Sequence, residues 1–350
     1  THQLPFHNNP FSLHNNMESY PPVFRCQQIT PLDQDDSHDP IHDPDPVPVI
    51  DLESLHHNID DDNNINKKIL EEACEDWGLF RLVNHGVPPT LLKKLQDLAK
   101  ELFSLPFESK KTAYDGAPMT YFWGTALVTQ SGTAITRDPQ NMNRVEGFSV
   151  PLTHLSNFHP QLPTLECMRL MLMDYETHLS RIATTLFEAM AKNLGLNLET
   201  CKSYLSVDTG VVRVYRYPHG LVGLGMEVHT DSSILSILNQ DDQVSGLEVL
   251  KDDRWLTVKP ISNTLIVNLG DMMQAISNDR YKSVSHRVKV SKNIDRISIC
   301  YFVFPGEDVV IESTKYKPFT YNEFRAQVQQ DIKALGYKVG LARFNQIQDC

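Results

Sequence analysis

The chain has 350 residues and a formal net charge of −12, with 41% hydrophobic and 22% charged residues. These proportions are ordinary for a globular protein, and the acidic balance argues against a nucleic-acid surface. No uninterrupted apolar run approaches the roughly 20 residues that span a bilayer. Thr1 to Asn9 lack the basic-then-apolar pattern of a secretory signal. We therefore expect a cytoplasmic protein with no membrane or nucleic-acid partner.

The six cysteines are scattered along the chain without a CxxC pair. This spacing argues against a structural zinc site and against a dense disulfide framework. Cys74, Cys167 and Cys300 stand within apolar patterns, so we expect three reduced and buried thiols. Reduced thiols fit a cytoplasmic protein.

Residues 1–45 contain many Asn, His, Pro and Asp and show no apolar period, which predicts a mobile N-terminal tail. The tail histidines have no fixed spacing, so we interpret them as solvated side chains. A single domain is predicted over 46–350. It divides into a helix-rich part at 46–205, a strand-rich core at 206–310 and a C-terminal helical segment at 311–350.

The helix-rich part opens with a short apolar strand at Val47–Leu52. Helical spacing follows over Ile65–Trp77, where Gly78 predicts a C-cap, and again after Pro88 and over Leu165–Leu194. Between the first two helices, Leu79–Val87 alternates like a strand.

Residues 112–160 carry several aromatic side chains among Gly and Thr without a sustained period. Loops of this kind often line a pocket for an apolar small molecule. The equal alternative is that these aromatic residues cover one end of a sheet.

Beyond residue 208 the period becomes strand-like. The runs are Val211–Tyr217, Val228–Leu238, Gly246–Leu250, Trp255–Val258, Thr264–Asn268, Met272–Ile276, Ser285–Val290 and Arg296–Phe304. Many short strands in tandem predict an antiparallel jelly roll, and the early strands near residues 48 and 80 are expected to join its sheets. The predicted fold class is α+β, with helices flanking the jelly roll. A final helix at Thr320–Leu335 and the residues after it are expected to pack over an open end of the barrel.

His229 and Asp231 stand two residues apart. On a strand, this spacing places both side chains on one face. His286 follows after about four predicted strands, enough for the chain to return across a barrel and bring a third ligand. Two imidazoles and one carboxylate on one side of a metal leave the opposite side open, which suits non-haem Fe(II) and dioxygen.

Arg296 follows His286 by ten residues and shares a strand face with Ser298. A guanidinium and a hydroxyl suit the distal carboxylate of a dicarboxylate, because Arg binds carboxylates through two parallel hydrogen bonds. Tyr217, on another alternating strand, is placed to donate a phenolic hydrogen bond to the same group. Together these parts fit oxidative decarboxylation of a five-carbon 2-oxo diacid, coupled to oxidation of an unactivated C–H bond.

From about Val47 to Phe324 the sequence resembles the plant 2-oxoglutarate/Fe(II)-dependent dioxygenases, a family that includes gibberellin oxidases, flavonoid oxygenases and the ethylene-forming enzyme. The resemblance rests on Pro48-Val49-Ile50-Asp51-Leu52, Trp77-Gly78-Leu79-Phe80, Asn84-His85-Gly86, His229-Thr230-Asp231, Asn268-Leu269-Gly270-Asp271, His286-Arg287 and Arg296-Ile297-Ser298. It implies a double-stranded β-helix that uses Fe(II), 2-oxoglutarate as cosubstrate and O2. The implied iron ligands are His229, Asp231 and His286, and the implied 2-oxoglutarate contacts are Arg296, Ser298 and Tyr217.

One stretch departs from the family pattern. The family commonly has Asn-x-Tyr-Pro where this chain has Tyr215-Arg216-Tyr217-Pro218. Tyr217 keeps its place, whereas Tyr215 replaces the Asn and is expected to reshape the pocket beside the iron and cosubstrate. Phe302, at the family's substrate-facing aromatic position, is a candidate substrate contact, as are Tyr215 and Tyr121.

Within the family the chain resembles gibberellin oxidases most, so the expected small-molecule substrate is a gibberellin-type diterpenoid acid. The alternative is a flavonoid or another specialised metabolite, and the product is either hydroxylated, desaturated or rearranged. Two other classes are a non-catalytic ligand-binding barrel and a zinc hydrolase. The first would have lost a ligand or the arginine, and none is lost. The second would need a general-base carboxylate near the metal and would not need Arg296. A monomer is the expected oligomeric state.

Overall fold

The computed structural model of the protein describes residues 17–22, 45–57, 65–114, 119–124, 143–197, 203–220 and 224–346. The predicted mobile tail lies outside these residues except for 17–22 and residue 45. Of the aromatic stretch predicted to form loops, 115–118 and 125–142 also lie outside them.

Helices flank the strands, as predicted. They are α1 (Leu52–His57), α2 (Ile65–Glu72), α3 (Pro89–Ser104), α4 (Phe107–Tyr114), α5 (Pro163–Asn193), α6 (Asp271–Ile276) and α7 (Tyr321–Leu335), with a π-helical turn at Ala73–Trp77 and 3-10 turns at Met17–Ser19, Leu152–Asn157 and Gly340–Phe344. The π-helical turn ends at Gly78 with φ of 69°, so the predicted C-cap is confirmed. A Cβ at Gly78 would lie 2.2 Å from the carbonyl oxygen of Lys282, which leaves room for glycine alone. Across the described part of the chain, no helix is both long and apolar enough to cross a membrane.

The strands form two sheets that face each other and one small hairpin-like pair. They are β1 (Val49–Asp51), β2 (Leu79–Val83), β3 (Thr120–Trp123), β4 (Glu146–Pro151), β5 (Ser206–Tyr217), β6 (Leu224–His229), β7 (Leu235–Gln240), β8 (Leu247–Lys251), β9 (Arg254–Thr257), β10 (Leu265–Leu269), β11 (His286–Lys289), β12 (Arg296–Phe304), β13 (Val310–Ile311) and β14 (Phe319–Thr320). The major sheet has eight strands in the order β1-β2-β10-β7-β12-β5-β4-β3, and the minor sheet has four in the order β6-β11-β8-β9. The strands near residues 48 and 80 join the major sheet, as predicted.

The side chains of β12 point alternately into the apolar core and into a cavity. Ile297, Ile299 and Tyr301 are buried in the large core shared with α3 and α5. The residues between them, Ser298 and Cys300, face the minor sheet and line a cavity. Because strand side chains point to opposite faces in turn, one strand supplies both layers. The arrangement is the predicted α+β jelly roll, with the site between its two sheets.

Two of the strand predictions are wrong. The run predicted as one strand over Val228–Leu238 is two strands in different sheets, because β6 ends at His229 and β7 begins at Leu235. The run Met272–Ile276 is helix α6 instead of a strand. A short apolar run does not distinguish a buried helix from a strand, and Met, Gln and Ala favour helix.

Two smaller predictions also need correction. The strand expected over Leu79–Val87 ends at Val83. Of the three thiols predicted to be buried, those of Cys74 and Cys300 are buried, whereas Cys167 is exposed. Cys167 lies on the outer face of α5, whose inner face buries Leu165 and Met168.

Residues 17–22, which belong to the stretch predicted as a tail, pack against the fold. The Lys110 ammonium donates to the carbonyl oxygen of Ser19 at 2.9 Å. The ring of Tyr20 lies 5.6 Å from that of Trp123 and 4.9 Å from the Arg216 guanidinium. Both Ser19 and Tyr20 are buried as a result.

A buried ionic cluster, formed by Lys110, Glu146, Arg216 and Tyr121, joins α4, β3, β4 and β5. The Glu146 carboxylate is fully buried, pairs with Lys110 and lies 3.1 Å from Arg216 Nε. It also accepts a hydrogen bond from the Tyr121 hydroxyl. Burial lowers the pKa of Lys110 to about 8, although the Glu146 charge opposes this shift. Glu146 therefore compensates the charge of Lys110 and, together with Asp295 at 3.6 Å, that of Arg216.

We expect Glu146→Gln to lower the free energy of unfolding by about 3–5 kcal/mol, because it leaves buried Lys110 without a counter-charge and Arg216 with only the more distant Asp295. Urea unfolding followed by circular dichroism measures this loss. Lys93→Ala is the control, since it breaks the exposed pair of Lys93 with Asp97 and is expected to change stability by less than about 0.5 kcal/mol. Equal losses in the two variants would contradict a structural role for the cluster.

Candidate active site

A cavity of about 660 Å³ lies between the major and minor sheets. Its volume is typical of sites that bind small molecules. The walls come from β5, β6, β11 and β12, and the mouth is bordered by α7 and the residues that follow it. Three groups of side chains face the cavity: a metal-binding triad, a buried arginine with its partners, and an apolar and aromatic wall.

The triad consists of His229, Asp231 and His286. Each offers one candidate ligand atom, and these atoms all lie within 4.8 Å of one another. Asp231 Oδ1 lies 3.9 Å from Nε2 of His229 and 3.7 Å from Nε2 of His286. The two histidines are direct partners in the antiparallel pairing of β6 with β11. Asp231 follows β6 in the loop to β7, so a loop, and not strand alternation, brings it beside His229.

Both imidazoles have a fixed tautomer. His229 Nδ1 lies 2.7 Å from the carbonyl oxygen of Glu227, and His286 Nδ1 lies 3.2 Å from that of Val284. A carbonyl oxygen only accepts, so each Nδ1 carries the hydrogen and each Nε2 presents a lone pair to the space shared with Asp231. Burial and the neighbouring His286 lower the pKa of His229 to about 3. The neutral imidazole is the form that binds a metal.

The Asp231 carboxylate is oriented by two neighbours. Its Oδ2 accepts hydrogen bonds from Ser236 Oγ at 2.8 Å and from Asn268 Nδ2 at 2.7 Å. Burial would raise the pKa of Asp231, but the two histidines and these hydrogen bonds lower it overall, so the carboxylate is ionised. Its Oδ1 is left to face the imidazoles. Two oriented imidazoles and one oriented carboxylate fit a divalent metal that keeps open positions on its other side.

Arg296 lies in the same cavity and is almost fully buried. Its Nη2 donates to Gln240 Oε1 at 3.1 Å, and its guanidinium lies 5.3 Å from the ring centre of Tyr217, its partner across the β5–β12 pairing. Ser298 lines the same cavity, and the Tyr217 phenol lies close enough to Arg296 and Ser298 for each to act on its pKa, which burial raises. Burial lowers the pKa of Arg296, and no carboxylate of the described residues forms an ion pair with it. A buried guanidinium without an internal counter-charge is suited to bind an anion.

The three aromatic residues expected to contact a substrate do not lie together. Tyr215 and Phe302 line the cavity. The Tyr215 ring packs between Phe122 and Tyr217, with ring centres 6.0 Å away on each side. Tyr121 does not line the cavity, because its hydroxyl is bound to buried Glu146.

Several residues that shape the site were not predicted. Ser236 and Asn268 hold Asp231, and Gln240 holds Arg296. Ser236 and Gln240 share one face of β7, so the alternation of side chains along that strand could have predicted that both face the site. A Cβ at Gly225 would lie 2.5 Å from the Tyr217 ring, so this glycine makes room for that ring.

The C-terminal residues pack over the open end of the barrel, as predicted. Residues 336–339 border the mouth of the cavity. Lys338 Nζ donates to the Thr230 carbonyl at 2.8 Å and to Ser232 Oγ at 3.0 Å, and it pairs with Asp271 at 2.6 Å. This contact joins the C-terminal segment to the loop that carries Asp231.

Comparison with known proteins finds two family models that match the chain. The 2OG-Fe(II) oxygenase superfamily model matches residues 209–305, and the model of the non-haem dioxygenase in morphine synthesis N-terminal region matches residues 47–160. Together they cover both the helix-rich part and the strands that form the cavity.

Three similar proteins agree with this match. Gibberellin 2-beta-dioxygenase 8 of Arabidopsis thaliana is 36% identical over 305 residues, which are 85% of this chain and 86% of that protein. Jasmonate-induced oxygenase 1 of the same plant is 34% identical over 295 residues, 80% of this chain and 71% of that protein. The crystal structure of JOX2 in complex with 2OG, Fe and JA superposes with a TM-score of 0.66 at 29% identity, covering 81% of this chain and 85% of the JOX2 chain.

We expect Asn268→Ala to weaken the binding of a divalent metal by about tenfold to hundredfold, because the variant loses a hydrogen bond that orients Asp231. Calorimetric titration with cobalt(II) measures the affinity without any turnover. Asn293→Ala, in an exposed turn, serves as the control and should bind cobalt as the unmodified protein does. Unchanged affinity in folded Asn268→Ala would exclude this orienting role.

Proposed function

Because the chain belongs to the 2OG-Fe(II) oxygenase superfamily and is a 2-oxoglutarate-dependent dioxygenase, we propose that His229, Asp231 and His286 hold its ferrous iron. The observation that supports this role is the convergence of two Nε2 lone pairs and Asp231 Oδ1 on one space. Bound ferrous iron supplies dioxygen activation coupled to the oxidative decarboxylation of 2-oxoglutarate to succinate and CO2. The protein's part is to orient both imidazoles through their Nδ1 hydrogen bonds and to fix the carboxylate.

We further propose that Arg296, Ser298 and Tyr217 hold 2-oxoglutarate. Arg296 offers guanidinium hydrogens on the cavity side, and Gln240 fixes its orientation from behind. Arg296 would hold one carboxylate of the five-carbon diacid, and the triad, which lines the same cavity, would hold the metal that takes its 2-oxo acid end. Ser298 and the Tyr217 phenol add neutral hydrogen-bonding groups beside the same carboxylate. A zinc hydrolase would leave the buried charge of Arg296 without a partner, so this charge favours the dioxygenase.

The remaining wall of the cavity is apolar and fits the organic molecule that the enzyme oxidises. Met226, Leu247, Val288 and Phe302 line it, and the C-terminal segment narrows its mouth. Such a wall excludes water from the reacting centre and binds the hydrocarbon part of a substrate. This apolar wall is equally compatible with hydroxylation and with desaturation of the substrate.

The substrate that we propose is a gibberellin-type diterpenoid. The support is the 36% identity to a gibberellin 2-beta-dioxygenase over most of both chains, together with a cavity large enough for 2-oxoglutarate and a compact apolar molecule. A jasmonate-type acid is the second candidate, favoured by the 34% identity to jasmonate-induced oxygenase 1. A flavonoid stays as a further alternative to be tested beside them.

Arg296→Gln is expected to raise the KM for 2-oxoglutarate by about tenfold to hundredfold, because a charge-assisted hydrogen bond contributes about 1.5–3 kcal/mol. The KM for the organic substrate should change little. Initial rates of succinate release at varied concentrations of each substrate measure both constants. Arg254→Gln, on exposed β9, is the control. Equal increases in the two KM values would count against the assigned role.

Incubation with gibberellin precursors, jasmonic acid and flavonoids, with succinate release and mass shift as readouts, tests the substrate. We expect the gibberellins to give succinate and an oxidised product in equal amounts, with no product when ferrous iron or 2-oxoglutarate is omitted. His229→Ala and Asp231→Ala should give no product while keeping the melting temperature within a few degrees. Coupled oxidation of jasmonic acid alone would replace the leading substrate with the second, and product from either variant would refute the ligand assignment.

A further inference from the structure

The cavity contains a second guanidinium, that of Arg213, which is half-buried. Arg213, Tyr215 and Tyr217 alternate along β5, so they face the cavity together while Val212 and Val214 enter the core. In the β5–β12 pairing Tyr217 lies opposite Arg296 and Arg213 lies opposite Cys300. The two positions are four residues apart, about 13 Å along the strands. Arg213 therefore lies at the other end of the cavity wall from Arg296.

Arg213 has aromatic neighbours but no ion-pair partner among the described residues. Its guanidinium lies 5.2 Å from the ring centre of Phe302, and the Tyr215 side chain lies close enough to raise the pKa of Arg213. Burial alone would lower the pKa of Arg213, but Tyr215, Tyr321 and Asp231 raise it overall, so the side chain is charged. No carboxylate of the described residues forms an ion pair with it.

The other charged groups of the cavity leave this cation uncompensated. Asp231 is committed to the two histidines, and Lys338 is paired with Asp271. Arg296 and Arg325 add positive charge, while Glu227 is exposed near the mouth. A guanidinium taken out of water and left without an anion is unfavourable unless a ligand supplies the anion. A planar carboxylate matches its paired donors best.

We propose that Arg213 binds the carboxylate of the organic substrate and that Tyr215 positions its guanidinium, so that the enzyme selects organic acids over their neutral derivatives. The inference rests on the proposed function, because 2-oxoglutarate must occupy the Arg296 end for the second cation to serve another anion. The apolar part of such an acid lies along Phe302 and reaches toward the triad.

Tyr215 has the role of positioning the Arg213 guanidinium. The ring of Tyr215 is held between those of Phe122 and Tyr217. A ring held on both sides has little freedom, so the Tyr215 hydroxyl is kept at a fixed place next to the charge of Arg213. Tyr215 is a positioning residue that acts through Arg213.

The test compares acids with their methyl esters by equilibrium binding. A gibberellin and jasmonic acid, each beside its methyl ester, are titrated calorimetrically into the cobalt(II)- and 2-oxoglutarate-loaded protein, which does not turn over. We expect the unmodified protein to prefer the acid of its substrate by about tenfold to hundredfold. Arg213→Gln should weaken binding of the acid by that factor and leave the ester unchanged. Arg213→Lys should restore part of the loss, and Tyr215→Phe should cause a loss of a few-fold for the acid alone.

Controls separate this role from simpler ones. Arg254→Gln should bind acid and ester as the unmodified protein does, and the KM for 2-oxoglutarate should be unchanged in Arg213→Gln. Equal binding of acid and ester by the unmodified protein would overturn the inference. The same holds for equal losses of acid and ester in Arg213→Gln, which would make Arg213 a packing residue. If Arg325→Gln loses the preference for the acid over the ester and Arg213→Gln keeps it, the inference is also overturned.

Failure of this inference differs from failure of the proposed function. If the gibberellins are not oxidised but Arg213→Gln weakens binding of the acid that is oxidised, the proposed role of Arg213 is supported and only the identity of the substrate changes. If turnover needs neither iron nor 2-oxoglutarate, the proposed function fails, and the premise of this inference fails with it. If Arg213→Gln does not fold, as its melting curve would show, the acid-to-ester ratio of the unmodified protein and of Arg213→Lys decides.

Discussion

The antiparallel pairing of β5 with β12 sets both the core and the cavity of this enzyme. On the helix side it buries Val214 beside Ile299, and on the cavity side it places Tyr217 beside Arg296. A shift of one residue in either strand would turn an arginine into the apolar core and an isoleucine into the cavity. Burial of large apolar side chains therefore fixes the register, and the register in turn fixes which polar groups meet. The functional wall is a consequence of the same alternation that stabilises the fold.

Strands β5 and β12 place their arginines in two different environments. Arg216 points to the helix side, where Glu146 provides its counter-charge together with that of Lys110. Arg213 and, on β12, Arg296 point to the cavity side, where no carboxylate of the described residues pairs with them. Because a buried charge that has lost its partner is strongly destabilising, the first arrangement serves the fold. The second is acceptable where ligands enter, since the ligand completes the pairing.

The sequence was sufficient to predict the components of the site, because a two-residue motif, a distant histidine and an Arg-x-Ser strand are visible without coordinates. It also predicted the long helices and most strands, whose apolar periods are sustained. It did not predict that His229 ends one strand and that Asp231 belongs to a loop, because the two-residue spacing of His229 and Asp231 was interpreted as strand alternation, although Asp231-Ser232-Ser233 is a polar stretch typical of a turn. Tyr121 could not be excluded from the pocket either, since its partner Glu146 is distant in sequence and becomes its neighbour only when β3 pairs with β4.

No strand holds the loop that carries Asp231, and hydrogen bonds from two other segments stabilise it. Backbone N–H groups at the start of α6 donate to the carbonyl oxygens of Asp231 and Ser233, at 2.8 and 3.2 Å. In the C-terminal segment, Lys338 donates to the carbonyl oxygen of Thr230 and forms an ion pair with Asp271. The second contact comes from the segment that borders the cavity mouth. The geometry of the triad and the position of the C-terminal segment are thus linked by shared hydrogen bonds, so that displacing the segment removes the Lys338 contacts of the Asp231 loop.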